Sequence, residues 1–423
     1  MQFKQVFFSQ SFKDFKNLFL SNIFQKILGL IRELIIAFFL GSSVAYANFL
    51  LLRVVADFFS QMTAGNALKA NLLPRFTKFY VNNNLVSLKQ VFRFSDSTTV
   101  FIFLLSQVIQ TSVILYLGLQ DNLLFFAASF ILSLSICFNF INTIFLTIIQ
   151  ARGRFLKYSL ASVQNSFMFT LVLYPLISVF SFVGLAASRL IGVLSMNMVF
   201  VRPMRKEDNG EELKLTYKDF DFSTLILGNF ANIIIISSRF ISGSDGSNGI
   251  TFFMYAVVIL NTLLTAVVGN ISTILLRKIS INKNNRIMYV SLIVSVIIGI
   301  LMIGFLYFFS YDIVELMYLR GAFNLNDVKE TASYLYSLSF GFVLLFIATI
   351  LFQPFLSLSI NKTKNIRKKI VLVFLSSILI FSCLALFSQF GVMGKTLFVM
   401  YASSITVVIL ATYSYIRYLK HEV

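Results

Sequence analysis

The sequence predicts an all-α integral membrane protein of about twelve spans, on three observations. Of 423 residues, 58% are hydrophobic and only 12% charged, and the mean hydropathy is +0.85, a composition foreign to soluble domains. Apolar runs of the length a bilayer demands, about 20 residues at 1.5 Å rise each, recur from end to end without the period-two alternation of a barrel. Basic residues, finally, crowd the short loops on one side of those runs.

The first sixteen residues, MQFKQVFFSQSFKDFK, mix Phe and Val with Lys, Gln and Ser. They lack the long apolar core and small-residue cleavage site of a signal peptide, and are expected to form a short amphipathic segment on the inner membrane surface. Spans are then drawn at 17–40, 44–72, 98–119, 123–150, 158–180, 182–201, 223–242, 250–276, 287–309, 331–356, 370–388 and 394–416. The third (TTVFIFLLSQVIQTSVILYLGL) and ninth (IMYVSLIVSVIIGILMIGFLYFF) are uninterrupted apolar runs. The sixth, with Arg189, and the seventh, with Asn229 and Asn232, carry polar groups suited to a bundle interior.

With the N-terminus in the cytoplasm, the basic residues outside the spans fall inside, from Lys4 to Lys420. Only Arg320, Lys329 and Lys395, with Arg239 at a span end, fall on the other side. That asymmetry puts both termini in the cytoplasm. It also accounts for the net charge of +18, since a nucleic-acid surface would gather its cations on one face rather than in loops between apolar helices.

The longest polar stretch, RPMRKEDNGEELKLTYKDFD (202–221), sits at the midpoint. It divides the chain into an N-terminal lobe (1–201, the amphipathic start and spans 1–6), a cytoplasmic inter-lobe loop (202–222) and a C-terminal lobe (223–423, spans 7–12). TAGNALKANLLPRF ends the second span and AVVGNISTILLRKI the eighth, a faint echo at matching places in the two halves. Two six-helix lobes around a central cavity suit alternating access.

The chemistry concentrates in the first two helices, which carry Lys26, Arg32, Glu33, Arg53, Asp57 and Lys69. Charge at membrane depth costs roughly 2.5–3.5 kcal/mol per residue on insertion scales, so it faces a polar cavity or a partner. Lys26, Gly29 and Glu33 share one helical face, with Arg32 about 100° round from Glu33. Two cations against one acid leave positive charge over, which favours an anionic ligand, and Arg and Lys are the usual holders of phosphate. Arg53 and Asp57, four apart, can pair along one helix as a self-neutralised strut, and Glu33 and Asp57 are the candidate ion-pairing or gating acids. Lys69 and Arg239, near span ends, are expected to snorkel to the interface. Arg189, mid-span, needs a partner that the sequence does not name.

Catalytic patterns are missing. There is no Gly-rich phosphate loop and no Ser/His/Asp set; the single histidine is His421, and Cys137 and Cys383 both lie inside apolar runs. No cofactor, metal or disulfide is expected. The largest outer loop, 310–331, offers Asp312, Glu315, Arg320 and Asp327 but is short for an enzyme's active site.

The stretch FQKILGLIRELIIAFFLGSSVAYANFLLLRVVADFFSQMTAGNALKANLLPRFTKF (24–79) resembles the first two helices of the MurJ/MviN family, with the spacing from Gly41 to Pro74 kept without a gap. ELMYLRGAFNLNDVKETASYLYSLSFGFV (315–343) is similar to the family's Leu-Phe-x-x-Gly-x-Phe segment before the tenth helix. The resemblance implies a divergent member of the wider flippase and multidrug-exporter superfamily. It implies a bacterial inner-membrane flippase, acting as a monomer, for an undecaprenyl-pyrophosphate-linked saccharide such as lipid II or an O-antigen or capsule repeat unit. By the same resemblance Arg32 matches a cavity Arg and Lys26 stands where the family has another, so Lys26 and Arg32, assisted by Arg53 and Arg189, are expected to hold the pyrophosphate. Ala47 stands where the family has an Asp, Ser60 and Val258 where it has Arg; the family also carries two further C-terminal helices. The alternative readings are a small-molecule antiporter of the same superfamily, which would use Glu33 and Asp57, and a non-transporting scaffold.

Overall fold

The computed structural model describes residues 10–64, 72–73, 76, 88–204, 222–246, 248–263, 285–357 and 360–421, and among these there is no strand. The helices are α1 (Gln10–Leu40), α2 (Val44–Ala64), α3 (Leu88–Tyr116), α4 (Leu123–Ala151), α5 (Phe155–Met204), α6 (Phe222–Gly228) and α7 (Phe230–Ser242). They continue as α8 (Gly249–Leu263), α9 (Asn285–Tyr318), α10 (Leu325–Ser357), α11 (Ile360–Phe387) and α12 (Val392–His421). Among the described residues seven helices are long and apolar enough to cross a membrane: stretches of α3, α4, α5, α9, α10, α11 and α12. The charged pair α1 and α2 is not among them, and α7 and α8 are shorter apolar helices. From Tyr289 to Phe309 the exposed side chains of α9, Val290, Ile293, Ile297, Ile300 and Leu301 among them, are apolar, as a surface facing hydrocarbon requires; the exposed Asp312 comes only near its end.

Segments 158–180 and 182–201 are the two helical parts of α5 and meet at Ser181, the residue left between them, whose φ of 52° and ψ of −131° reverse the chain. Other elements differ from their sequence readings. The seventh segment breaks at Asn229 into α6 and α7. The expected outer loop 310–331 is mostly helix, because α9 runs on to Tyr318 and α10 starts at Leu325. The run DIVELMY holds good helix formers and continues the apolar face of α9, which explains the extension. The amphipathic start belongs to α1 from Gln10 onward. Residues 1–9, most of the inter-lobe loop, residues 65–71 of the first Gly-Asn echo with Lys69 among them, and the whole of the second echo lie outside the described residues.

The helices group into two compact units. The first holds residues 1–40 and 55–225, the second 41–54 and 226–423. In the first, α5 packs along both α1 and α4, and α3 packs on α4. The α3–α4 contact is polar: Ser106 Oγ donates to Ser133 Oγ at 2.6 Å, Gln110 Nε2 to Ser133 Oγ at 2.9 Å, and Gln107 Nε2 to the Ser129 carbonyl at 3.0 Å. With no hydrophobic drive between helices in lipid, such bonds and close packing are what hold neighbours together. In the second unit α12 is central, touching α7, α10 and α11.

The second unit also takes in the turn after α1 and the start of α2. Gly41 has a φ of 50°, and a Cβ there would lie 2.5 Å from the Ala322 carbonyl oxygen, so only glycine fits. Its carbonyl accepts from Tyr255 Oη at 3.1 Å. Ser42 Oγ donates to Asp327 Oδ1 at 2.7 Å. The other oxygen of Asp327, Oδ2, accepts from the Asn324 backbone N–H at 2.9 Å, while Asn324 Oδ1 accepts from the Asp327 N–H at 3.0 Å. That reciprocal pair is a capping box at the start of α10. Tyr255 also meets Tyr46, Tyr318 and Phe323, with ring centroids 6.3, 4.7 and 5.2 Å away. Phe323 thus fills the aromatic cluster behind the turn.

Candidate functional site

Lys26, Arg32 and Glu33 lie on α1 in the first unit, all half-buried. A Cβ on Gly29 would stand 3.5 Å from Arg32 Nη2, so the Arg32 side chain folds back one turn toward the start of α1, the direction helix geometry favours. Its guanidinium carbon lies over the ring of Phe169 on α5, 4.5 Å from the centroid. Two turns further along α1, Phe39 meets Tyr174 at 5.3 Å. Both contacts advance in the same direction along the two helices, so α1 and the first segment of α5 run parallel.

Asp57 on α2 and Arg189 on the second segment of α5 form an ion pair, Arg189 Nη1 standing 2.9 Å from Asp57 Oδ1. The Nη1 hydrogens do not line up on a hydrogen-bond acceptor, so this is a charge contact rather than an aligned fork. Their side chains keep 23% and 17% of their surface open. The mid-span arginine therefore has a partner, and the acid comes from a distant helix. Arg53, four residues before Asp57, is half-buried and belongs to the part of α2 grouped with the second unit.

The structure thus sets Arg32, from α1, against the first segment of the α5 hairpin and carries Arg189 on the second, with Asp57 beside it. Arg239 departs from expectation. It is only 7% exposed and lies in the last turn of α7, rather than reaching out to the interface. α7 is covered on most sides, burying Ile233 to Ile236, Ser238, Ile241 and Ser242 as well, so the arginine stem has no open path outward. Phe169 was not singled out from the sequence; one Phe among 50 carries no signal until the helix beside it is known.

Comparison with known proteins follows the same lines. The family model described as "Lipid II flippase MurJ" matches residues 36–422. Among solved structures the chain is similar to the lipid II flippase MurJ in an inward closed conformation, with a TM-score of 0.74 at 19% identity, over 95% of this chain and 87% of that one. It is also similar to a multidrug resistance MATE family transporter of the MOP superfamily. The inward-facing conformation gives a TM-score of 0.71 at 12% identity, covering 94% of this chain and 95% of that one. The outward-facing conformation gives 0.60 at 12% identity, covering 97% and 96%. No curated protein matches by sequence. At these identities the structural likeness speaks for the fold, while the family model covers nearly the whole chain: the chain belongs to the lipid II flippase MurJ family, a family of membrane transporters and not of enzymes.

Proposed function

We propose that this protein is a flippase of the bacterial inner membrane that moves an undecaprenyl-pyrophosphate-linked saccharide to the outer leaflet by alternating access, through twelve spans with both termini in the cytoplasm. The carried unit is lipid II or a repeat unit of the O-antigen or capsule kind. Lys26 and Arg32 hold the pyrophosphate, with Arg53 and Arg189 assisting, and Glu33 and Asp57 are the ion-pairing groups that exchange partners as it moves. The observation that carries this reading is the excess of cations in the first unit. Asp57 answers Arg189 at 2.9 Å, while Lys26 and Arg32 share the apolar stretch of α1 with Glu33; the other acid of α1, Asp14, lies near its start between Lys13 and Lys16. Phosphate is the ligand that such an excess suits, through charge-assisted bonds to Arg and Lys.

A small-molecule antiporter is the second reading, supported by the likeness to MATE transporters. An organic cation needs a buried acid, and Asp57 is already engaged with Arg189, which makes this reading the weaker one. The test is transport in vesicles holding the purified chain, with lipid II, an O-antigen-type unit and an organic cation offered separately. Movement of either lipid-linked saccharide supports the proposal and names the glycan. Movement of the organic cation alone would replace it with the antiporter.

A further inference from the structure

We infer that Phe169 is a positioning residue for the anion site: its ring sets the guanidinium of Arg32 in the orientation from which it takes a pyrophosphate. The inference rests on the reading of Arg32 given under Proposed function.

Three features of the first unit support it. Arg32 lies over the Phe169 ring at 4.5 Å, within the range where the ring quadrupole attracts a cation, and more strongly when both are withdrawn from water. A phosphate is taken by the N–H groups of the guanidinium plane, and with the ring on one side of Arg32 the N–H groups turned away from it are the ones left for a ligand. An arginine has several rotatable bonds, and holding it ready lowers the entropy lost when the ligand arrives.

The Phe169 side chain is held at its root. At Gly192, on the second segment of α5, a Cβ would lie 2.9 Å from the Phe169 Cβ and 2.8 Å from Asn165 Oδ1. The absent side chain lets the two segments of the hairpin close on each other at Asn165 and Phe169, which fixes the point from which the ring projects. Gly192 stands one turn beyond Arg189, the residue paired with Asp57. The α5 hairpin therefore positions two of the arginines assigned to the anion site, Arg189 from its own backbone and Arg32 through Phe169. Gly29 on α1 lies beneath the returning Arg32 side chain, where an added Cβ would stand in ordinary contact with Nη2 at 3.5 Å.

The test is a double-mutant cycle on the full chain in lipid nanodiscs, with undecaprenyl pyrophosphate as the probe. Phe169→Leu keeps an apolar side chain of similar size without the ring, and is expected to weaken binding about fivefold, the upper end for a cation–π contact between half-buried groups. Phe169→Tyr, which keeps the ring, is expected to bind within about twofold of the native chain. In an Arg32→Ala background, Phe169→Leu is expected to add no further loss. An equal loss in both backgrounds would mean that Phe169 only supports the helix packing, and would overturn the inference. So would a Phe169→Leu chain with native affinity. If Arg32→Ala alone leaves affinity unchanged, the reading of Arg32 as an anion ligand fails, and this inference fails with it. If Arg32→Ala weakens binding but the two residues do not couple, only the inference falls.

Discussion

Asp57 and Arg189 show what a single charge contact does in this fold. Each is half-buried and they stand 2.9 Å apart, so removing the acid takes the Asp57 charge from beside the Arg189 guanidinium in a medium of low dielectric. Asp57→Asn is expected to cost about 2 kcal/mol, below the figure for a fully buried pair because both side chains keep some open surface. The thermal unfolding temperature in nanodiscs reads this out. Adding Arg189→Gln to Asp57→Asn is expected to recover most of the loss, whereas a double variant worse than either single one would show that each residue has a separate role. This pairing was not legible beforehand. The need of Arg189 for a partner followed from its depth, but the nearest candidate for Asp57 by helical spacing was Arg53, and which helix approaches α5 is a tertiary fact. The same holds for Phe169, whose meaning depends on the parallel register of α1 and α5.

Hairpins and caps govern the next scale. Ser181 reverses α5 with a φ of 52°, a conformation that costs a non-glycine residue on the order of 1–3 kcal/mol. Ser181→Gly is expected to raise stability by about 1 kcal/mol, again measured by thermal unfolding, since the side chain is exposed and the substitution relieves the backbone. A destabilised Ser181→Gly chain would mean that the hydroxyl matters more than the strain. At the start of α10, Asp327 is 4% exposed and its two carboxylate oxygens serve different ends, one the capping box and one Ser42. Asp327→Ala is expected to cost about 2 kcal/mol, the sum of a lost cap and a lost side-chain bond. Ser42→Ala should cost less, about 1 kcal/mol, because the cap survives. Most helices were readable as apolar runs, and Ser181 fell in the one-residue gap between two of them. The continuation of α9 to Tyr318 was hidden because charge in DIVELMY resembles a loop, although those residues keep a helical period.

At the level of the whole chain, hydropathy and charge placement carried the all-helical membrane class, and the first two helices with the segment before α10 carried the family. Both depend on local pattern, which one sequence displays in full. The grouping of residues 41–54 with 226–423 could not be read, because the turn at Gly41 to Ser43 looks like any hairpin until Tyr255, Ala322 and Asp327 are seen around it. The retained cations define the central claim, that Lys26 and Arg32 meet a lipid-linked pyrophosphate. The most direct measurement of that claim is the rate of transbilayer movement of an undecaprenyl-pyrophosphate-linked saccharide in proteoliposomes, native chain against Lys26→Ala with Arg32→Ala. Loss of two charge-assisted contacts predicts a fall of at least about tenfold, with the folded amount unchanged; a double variant that moves the lipid at the native rate would contradict the account.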